Sequence, residues 1–148
     1  MTSSAAVSDP PPIDLIRPAT LADGVPYAYA AAPHGRSLYV FTAGACPLDS
    51  AGVVSAGLDV RAQATLAMKN LSEALRAAGA TLGDVVKTTV YVATTQRSDL
   101  VAAWDVVRDH FGAHDPPSTL VGVTVLGFPE QVVEVEAVAA LAISPAER

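Results

Sequence analysis

The stretch NLSEALRAAGATLGDVVKTTVYV, residues 70–92, decides the fold because its hydrophobic period changes from helical to strand-like within a few residues. Apolar residues recur at helical spacing through its first half and upstream of it: Ala64, Met68, Leu71, Leu75 and Ala78. Asp59 is placed to cap this predicted helix, and Gly79 to end it. The β-branched run VVKTTVYVAT, residues 85–94, then predicts a central strand.

The same patterns predict further elements on both sides of this stretch. Ser98 and Asp99 open a second helix, whose apolar face carries Leu100, Trp104, Val107 and Phe111. Two further predicted strands, PYAYAAA (26–32) and SLYVFTAG (37–44), flank the turn PHGR and form a hairpin. Two more strands are predicted later in the chain, STLVGVTVL (118–126) and QVVEVEAVAAL (131–141). The segment IDLIRPA (13–19) is an optional first strand.

The resulting order, β-β-α-β-α-β-β, indicates an α+β fold with two helices on one face of a mixed sheet. At 148 residues the chain suits one domain, which we assign to residues 13–142. Residues 1–12 are small, polar and rich in proline and predict a disordered tail, and 143–148 form a C-terminal tail.

Composition excludes several classes of function. The net charge is −6 and the nine basic residues are scattered, which argues against nucleic acid as a partner. No apolar run is long enough for a membrane span, and no secretory signal is evident, so we expect a cytoplasmic protein. The hydrophobic share of 51% against 16% charged residues suits a domain that buries surface between subunits.

Most candidates for chemistry have an ordinary structural explanation. Cys46 has no basic neighbour in sequence to activate it, so we expect a small buried thiol. His34, His110 and His114 lack the spacing of metal ligands, and we predict neither a metal site nor a cofactor. Trp104 lies on the apolar face of the second helix, where core packing is the favoured interpretation.

Two glutamates and three tyrosines leave two interpretations open. Glu134 and Glu136 are two apart on one strand and therefore point to the same face. That face is either solvated or part of a subunit interface or pocket wall, where a carboxylate orients a water molecule. Tyrosine suits a core and a pocket lining equally, which applies to Tyr27 and Tyr29 on the first hairpin strand and to Tyr91 on the central strand.

From residue 26 to 141 the chain resembles the RidA/YjgF family. The resemblance is strongest in NLSEALRAAGATLGDVVKTTVYV, in the closing VEVEAVA and in TAG before the loop. It implies a chorismate-mutase-like fold, a homotrimer, and small-molecule pockets in the clefts between subunits. In its best understood branch the family hydrolyses enamines and imines such as 2-aminoacrylate, with an arginine that clamps the substrate carboxylate.

The resemblance also implies roles for individual residues. Tyr27 matches a pocket tyrosine, Gly44 a glycine that binds ligand through its backbone, and Glu134 a glutamate that positions the attacking water. Ser118 stands where the family has the clamp arginine, with Thr119 after it, in the segment Pro116-Pro117-Ser118-Thr119. Trp104 replaces a pocket asparagine. These residues and Tyr91 are the predicted substrate-binding set, and Glu134 is the predicted catalytic residue.

Three functions follow as alternatives. The first is a pocket for a small, largely neutral metabolite, in which any catalysis is hydrolysis of an enamine or imine that lacks a carboxylate. The second is deamination of 2-imino acids with another cation in place of the missing arginine, supplied by Arg61, Arg97 or Arg108 of the same chain or of a neighbouring subunit. The third is a regulatory or chaperone-like protein without catalysis. The family includes members described as RNA-cleaving, but the acidic charge argues against RNA as a substrate here.

Overall fold

A computed structural model describes residues 13–143, and these contain two α-helices and six β-strands. The predicted tails, 1–12 and all but the first residue of 143–148, lie outside the described residues. In chain order the elements are β1 (Ile13–Ile16), β2 (Ala30–Pro33), β3 (Ser37–Phe41), α1 (Val60–Ala77), β4 (Val85–Ala93), α2 (Arg97–Phe111), β5 (Ser118–Val123) and β6 (Val133–Ala142).

The main sheet has four strands in the order β3-β6-β4-β5. β4 and β5 run parallel, joined by α2, while β3 and β4 each pair antiparallel with β6. The predicted mixed sheet with two helices is therefore confirmed, and the optional first strand exists as β1. β5 is an edge strand of this sheet, which leaves one side of it free to form a cavity.

The predicted hairpin of strands 26–32 and 37–44 is wrong. β2 pairs with β1 in a separate two-stranded sheet, whereas β3 pairs with β6 in the main sheet. The turn around Gly35, whose φ is +64°, redirects the chain from one sheet to the other. Tyr27 and Tyr29, predicted on a strand, lie in the loop before β2, with their rings 5.9 Å apart and edge to face.

The core forms between the two helices and one face of the main sheet. Val90 and Val92 of β4 and Val133 and Val135 of β6 are fully buried there, against the apolar stripe of α1. α1 begins where predicted, because the Asp59 side chain accepts a hydrogen bond of 2.8 Å from the backbone N–H of Ala62. No helix within residues 13–143 is long and apolar enough to cross a membrane.

The opposite face of the main sheet is polar and carries no helix; we call it the open face. Alternation along the strands places on it Lys87, Thr89 and Tyr91 of β4 and Glu134 and Glu136 of β6. Register puts Tyr91 beside Glu134 and Thr89 beside Glu136. Thr119 of β5 pairs with Thr89 and therefore shares this face.

Candidate ligand-binding site

A cavity of about 370 Å³ lies beside β5, and we call it the edge cavity. Its walls come from three parts of the chain: Tyr27 from the loop before β2, Trp104 from α2, and Ser118, Thr119 and Leu120 from β5. Four residues of the predicted substrate-binding set thus line one cavity. Trp104 is half-buried and also packs against the core, so the core and pocket interpretations of this residue both apply.

The two prolines before β5 fix the start of that strand. The Pro117 carbonyl accepts a hydrogen bond of 3.0 Å from the Thr88 backbone N–H, which joins β5 to β4 from its first residue. The Ser118 hydroxyl donates to the Pro116 carbonyl at 2.9 Å. Its one proton is therefore engaged by the chain itself, and Ser118 contributes only a small polar surface to the cavity.

An arginine that the sequence patterns did not single out, Arg17, holds the Tyr27 wall in place. Its guanidinium donates to the carbonyls of Tyr27 at 2.6 Å and Val25 at 3.2 Å, and pairs with the Asp115 carboxylate at 2.9 Å. A backbone bond of 2.9 Å from Ala28 to the Asp115 carbonyl runs alongside. Arg17 therefore connects the loop that carries Tyr27 to the segment that leads into β5.

Lys87 is the second residue that sequence reasoning missed. Its ammonium donates to the Thr119 hydroxyl oxygen at 2.6 Å, across the open face from β4 to β5. Burial lowers the pKa of Lys87 below its usual value. The available signal was its alternation with Thr89 and Tyr91, which predicts one shared face for the three side chains.

The other half of the predicted site lies around Gly44, Cys46 and Glu134, which we call the carboxylate corner. Ala45 and Val135 exchange two backbone hydrogen bonds, of 2.7 and 3.1 Å, that hold the loop after β3 against β6. A Cβ atom at position 44 would collide with the Glu134 carboxylate. A side chain at position 44 would therefore have to displace the Glu134 carboxylate from its place over the backbone.

Cys46 adjoins the same carboxylate. Burial, followed by the negative charge of Glu134, raises the pKa of the Cys46 thiol. The Asn70 side chain donates to the carbonyls of Cys46 and Leu48 at 2.8 and 3.0 Å, which fixes the loop to α1. The thiol is therefore held protonated beside a carboxylate, as expected for a cysteine without a nucleophilic role.

Tyr91, predicted to bind substrate, does not line the edge cavity. Its hydroxyl donates to the Glu136 carboxylate at 2.7 Å, between adjacent strands on the open face. That hydrogen bond, assisted by burial, raises the pKa of Tyr91 above its usual value. Glu136 thus accepts a hydrogen bond from a tyrosine of its own chain, whereas Glu134 lies against the Gly44 backbone.

The edge cavity and the carboxylate corner are separate within one chain. Across the sheet, Glu134 pairs with Tyr91, and Tyr91 pairs with Val121, which lies two residues after Thr119. With strands about 4.8 Å apart and a rise of about 3.3 Å per residue, the backbones at Glu134 and Thr119 are roughly 12 Å apart. The Glu134 carboxylate also lies against Gly44, on the side of β6 that faces away from β5, so a small ligand that contacts Thr119 does not reach it within one chain.

None of the three arginines proposed to replace the clamp lines the edge cavity of its own chain. Arg61 pairs with Asp105 at 3.1 Å on the outer side of the helices, and Arg97 and Arg108 are exposed along α2. Within the part of the chain that the structure describes, no cluster of histidine, cysteine, aspartate and glutamate side chains is arranged to hold a metal ion. The lining of the cavity thus consists of hydroxyl groups and apolar surface.

Comparison with known proteins covers most of the chain. Residues 20–141 match the family model described as Endoribonuclease L-PSP. A RutC family protein of Pyrococcus abyssi is 35% identical over 103 residues, which cover 68% of this chain and 77% of the relative. A second RutC family protein, from Pyrococcus horikoshii, is 34% identical over the same length, covering 68% of this chain and 78% of the relative.

Solved structures agree with this assignment. A protein of the conserved Rid family from Yersinia pestis, YyfB, superposes with a TM-score of 0.77 at 33% identity, covering 88% of this chain and 99% of that one. TdcF of E. coli, solved with bound serine, superposes with a TM-score of 0.62 at 28% identity, covering 79% and 94%. The fold described above is therefore the fold of these solved structures.

Proposed function

The chain belongs to the RidA/YjgF family, and we propose that its edge cavity binds a small uncharged imine or enamine, which the protein hydrolyses. The observation that carries this proposal is the lining of the cavity. Tyr27 and Thr119 line the cavity together with Trp104, and no arginine of the same chain is among the lining residues. A carboxylate ligand is held best by a bidentate, charge-assisted pair of donors, and Ser118 offers no substitute because its proton is already engaged.

The chemistry that this arrangement supports is addition of water to a carbon–nitrogen double bond. Glu134 accepts a proton from water as the water oxygen bonds to the imine carbon. Glu134 returns that proton to the nitrogen, which gives a carbinolamine. Its carbon–nitrogen bond then breaks as the hydroxyl proton also moves to the nitrogen, which leaves as ammonia, and a carbonyl compound remains. No electrons are gained or lost, so the reaction needs no redox cofactor.

A second copy of the chain is required to complete this site. Because Glu134 lies roughly 12 Å along the sheet from Thr119 of its own chain, the carboxylate that acts at the edge cavity comes from a neighbouring subunit. The exposed side chains of Leu38, Tyr39 and Phe41 on the edge strand β3 provide apolar surface for such contacts, with Phe41 76% exposed. A homotrimer with three equivalent clefts satisfies both observations.

RNA is not the substrate in this proposal, although the family model is described as an endoribonuclease. The net charge is −6, and the open face carries two glutamates against one lysine. Phosphate-tracking proteins need the opposite charge. The serine bound to TdcF shows that a relative of this fold takes a small molecule, which favours a metabolite here.

A coupled assay tests the proposal. A pyridoxal-phosphate enzyme generates 2-iminopropanoate, and the corresponding amide is supplied as the uncharged substrate; ammonia release from each is followed with wild type, Glu134→Gln and Ser118→Arg. We expect the wild type to accelerate release from the amide and to leave the acid unchanged. Glu134→Gln abolishes the acceleration, and Ser118→Arg transfers activity to the acid.

Two results would contradict the proposal. If wild type accelerates ammonia release from 2-iminopropanoate, another group holds the carboxylate and deamination of 2-imino acids is retained. If neither wild type nor Ser118→Arg accelerates ammonia release from either substrate, the protein is not a hydrolase of this kind. A regulatory or binding role would then be the better explanation.

A further inference from the structure

We propose that Lys87 acts through the Thr119 hydroxyl to bind a neutral carbonyl oxygen of the ligand, next to its carbon–nitrogen double bond. The inference rests on the proposed function and specifies its substrate class. In this arrangement the lysine ammonium does not touch the ligand. It polarises the threonine hydroxyl, which in turn donates into the edge cavity, so Lys87 is a positioning residue and Thr119 a binding residue.

The hydrogen bond between the two side chains leaves the threonine proton free to donate to another group. Lysine has donors and no acceptor, so in the 2.6 Å contact the Thr119 oxygen accepts and Lys87 donates. The Thr119 hydroxyl proton has no acceptor of its own among residues 13–143. Thr119 is one of the residues that line the edge cavity. In the arrangement we propose, this free proton is directed to a ligand there.

The positive charge makes that proton a stronger donor. Lys87 forms no ion pair within the described part of the chain, so its charge is not neutralised by a contacting carboxylate. Glu136 lines a neighbouring cavity of about 170 Å³ with it and remains beyond ion-pairing distance. Hydrogen bonds in a chain polarise one another, and an ionised donor strengthens the next bond along.

The same geometry favours an amide, ester or ketone oxygen over a carboxylate. A carboxylate needs two donors side by side, and here Thr119 supplies one while the Ser118 proton is directed at the Pro116 carbonyl. The ammonium is one hydroxyl away from the cavity, so it does not meet a ligand charge directly. A single carbonyl oxygen matches this single polarised donor.

The fluorescence of Trp104 gives a direct readout of the cavity, because it is the one tryptophan of the chain and lines the cavity wall. The probes are pyruvamide and pyruvate, which have nearly the same shape and differ in charge. Each is titrated against wild type, Lys87→Met, Lys87→Arg, Thr119→Val and the double variant Lys87→Met/Thr119→Val. Lys69→Met removes the other lysine, which is exposed on α1, and serves as the matched control.

We expect pyruvamide to quench Trp104 in wild type, and to bind about tenfold more weakly in Thr119→Val because one polarised hydrogen bond is lost. Lys87→Met should weaken binding several-fold, and the double variant should bind no worse than Thr119→Val alone, since the lysine acts through the hydroxyl. Lys87→Arg should retain most of the affinity, and Lys69→Met should match wild type.

The titrations distinguish an error in the role of Lys87 from an error in the proposed pocket. If wild type binds pyruvamide while Lys87→Met, folded by circular dichroism, binds it equally well, the role of Lys87 is wrong and the proposed pocket stands. Additive losses in the double variant would overturn the relay through Thr119. Tighter binding of pyruvate than of pyruvamide would overturn the substrate class. If neither probe binds wild type, the proposed pocket and this inference both fall.

Discussion

The edge cavity and the carboxylate corner are built in opposite ways. The edge cavity is lined by residues from three separate segments of the chain. Arg17 donates a hydrogen bond to the Tyr27 carbonyl, and Lys87 donates one to the Thr119 hydroxyl. In the carboxylate corner, Glu134 fills the space over the Gly44 backbone, and two strand-like hydrogen bonds hold loop and strand together. One region is a cavity lined by no carboxylate, whereas the other holds a carboxylate packed against the backbone.

In the proposed function, the two surfaces come together from different subunits, and neither region is a complete site by itself. Substitutions in the two regions should therefore differ in kind. Changes at the edge cavity should act mainly on ligand affinity, whereas changes at the carboxylate corner should act mainly on rate.

The largest effect is expected from Gly44→Ala. The added methyl group would overlap the Glu134 side chain, so the carboxylate must move or the loop must shift. Because the overlapping atoms belong to the end of a flexible side chain, we expect no more than about 1 kcal/mol of loss in the free energy of unfolding. Hydrolytic activity should fall to the level of Glu134→Gln, with a smaller effect on Trp104 quenching.

Gly127→Ala is the matched control for this prediction. A Cβ atom at position 127 meets nothing within 4 Å. Thermal unfolding and initial rates of both variants check the expectation. Wild-type activity and stability in Gly44→Ala would show that Glu134 does not need its position over the glycine.

Arg17→Met is expected to have the next largest effect, on the edge cavity. The variant loses two hydrogen bonds to backbone carbonyls and the pair with Asp115, so the loop that carries Tyr27 is released. Because Arg17 is partly exposed, we expect only about 1 kcal/mol in the free energy of unfolding. Pyruvamide should bind several-fold more weakly.

Arg76→Met is the control for charge removal, since Arg76 pairs only with Glu73 on the exposed side of α1. Urea unfolding and Trp104 titration of the two variants distinguish a local from a general effect. Equal pyruvamide affinity in wild type and Arg17→Met would show that Tyr27 does not depend on the guanidinium for its position.

A smaller effect is expected on the reactivity of Cys46. Burial and then Glu134 raise the pKa of this thiol, so little thiolate is present near pH 8. Glu134→Gln removes the charge and leaves the burial, so the pKa should fall part of the way towards its usual value. Alkylation by iodoacetamide at pH 8 should become a few-fold faster. An unchanged rate would mean that the carboxylate is not beside the thiol.

The smallest effect concerns Tyr91. Its hydrogen bond to Glu136, with burial, raises its pKa in the folded protein. The folded state therefore holds this proton more tightly than the unfolded state. The resulting stability is fully present below the unfolded pKa of about 10 and is lost as pH rises through the folded pKa. Glu136→Gln should lower the tyrosinate midpoint of Tyr91.

Absorbance of tyrosinate, with Tyr91→Phe to identify the signal among the four tyrosines, measures that midpoint. A midpoint in Glu136→Gln equal to that of wild type would show that the hydroxyl does not donate to the carboxylate in solution.

The sequence predicted the fold well because its signals are local. The helical stripe that ends at Gly79 and the β-branched run at 85–94 each occupy one continuous segment, and both are present as α1 and β4. The hairpin failed because turn residues around Gly35 indicate a change of direction without indicating the partner strand. β2 pairs with β1, which precedes it, and β3 pairs with β6, which ends the main sheet in sequence. The two strands beside the turn therefore do not pair with each other.

The candidate site was predictable only in part. Tyr27, Trp104, Ser118 and Thr119 are distant in sequence, and family resemblance rather than periodicity grouped them into the set that lines the edge cavity. The contact of Lys87 with Thr119 depends on the parallel register of β4 and β5, which α2 and the loop after it set. Strand alternation indicates the face on which a residue lies and leaves the neighbouring residue across the sheet undetermined.

The most direct test of a site shared between subunits is a complementation measurement. Thr119→Val and Glu134→Gln, each inactive or weakened alone, are unfolded together in equal amounts, refolded, and assayed for hydrolysis of the uncharged imine. If each site takes the cavity from one chain and the carboxylate from the next, random assembly restores about a quarter of wild-type activity. Activity no greater than that of the two variants refolded separately would contradict the shared site and place cavity and carboxylate in one chain.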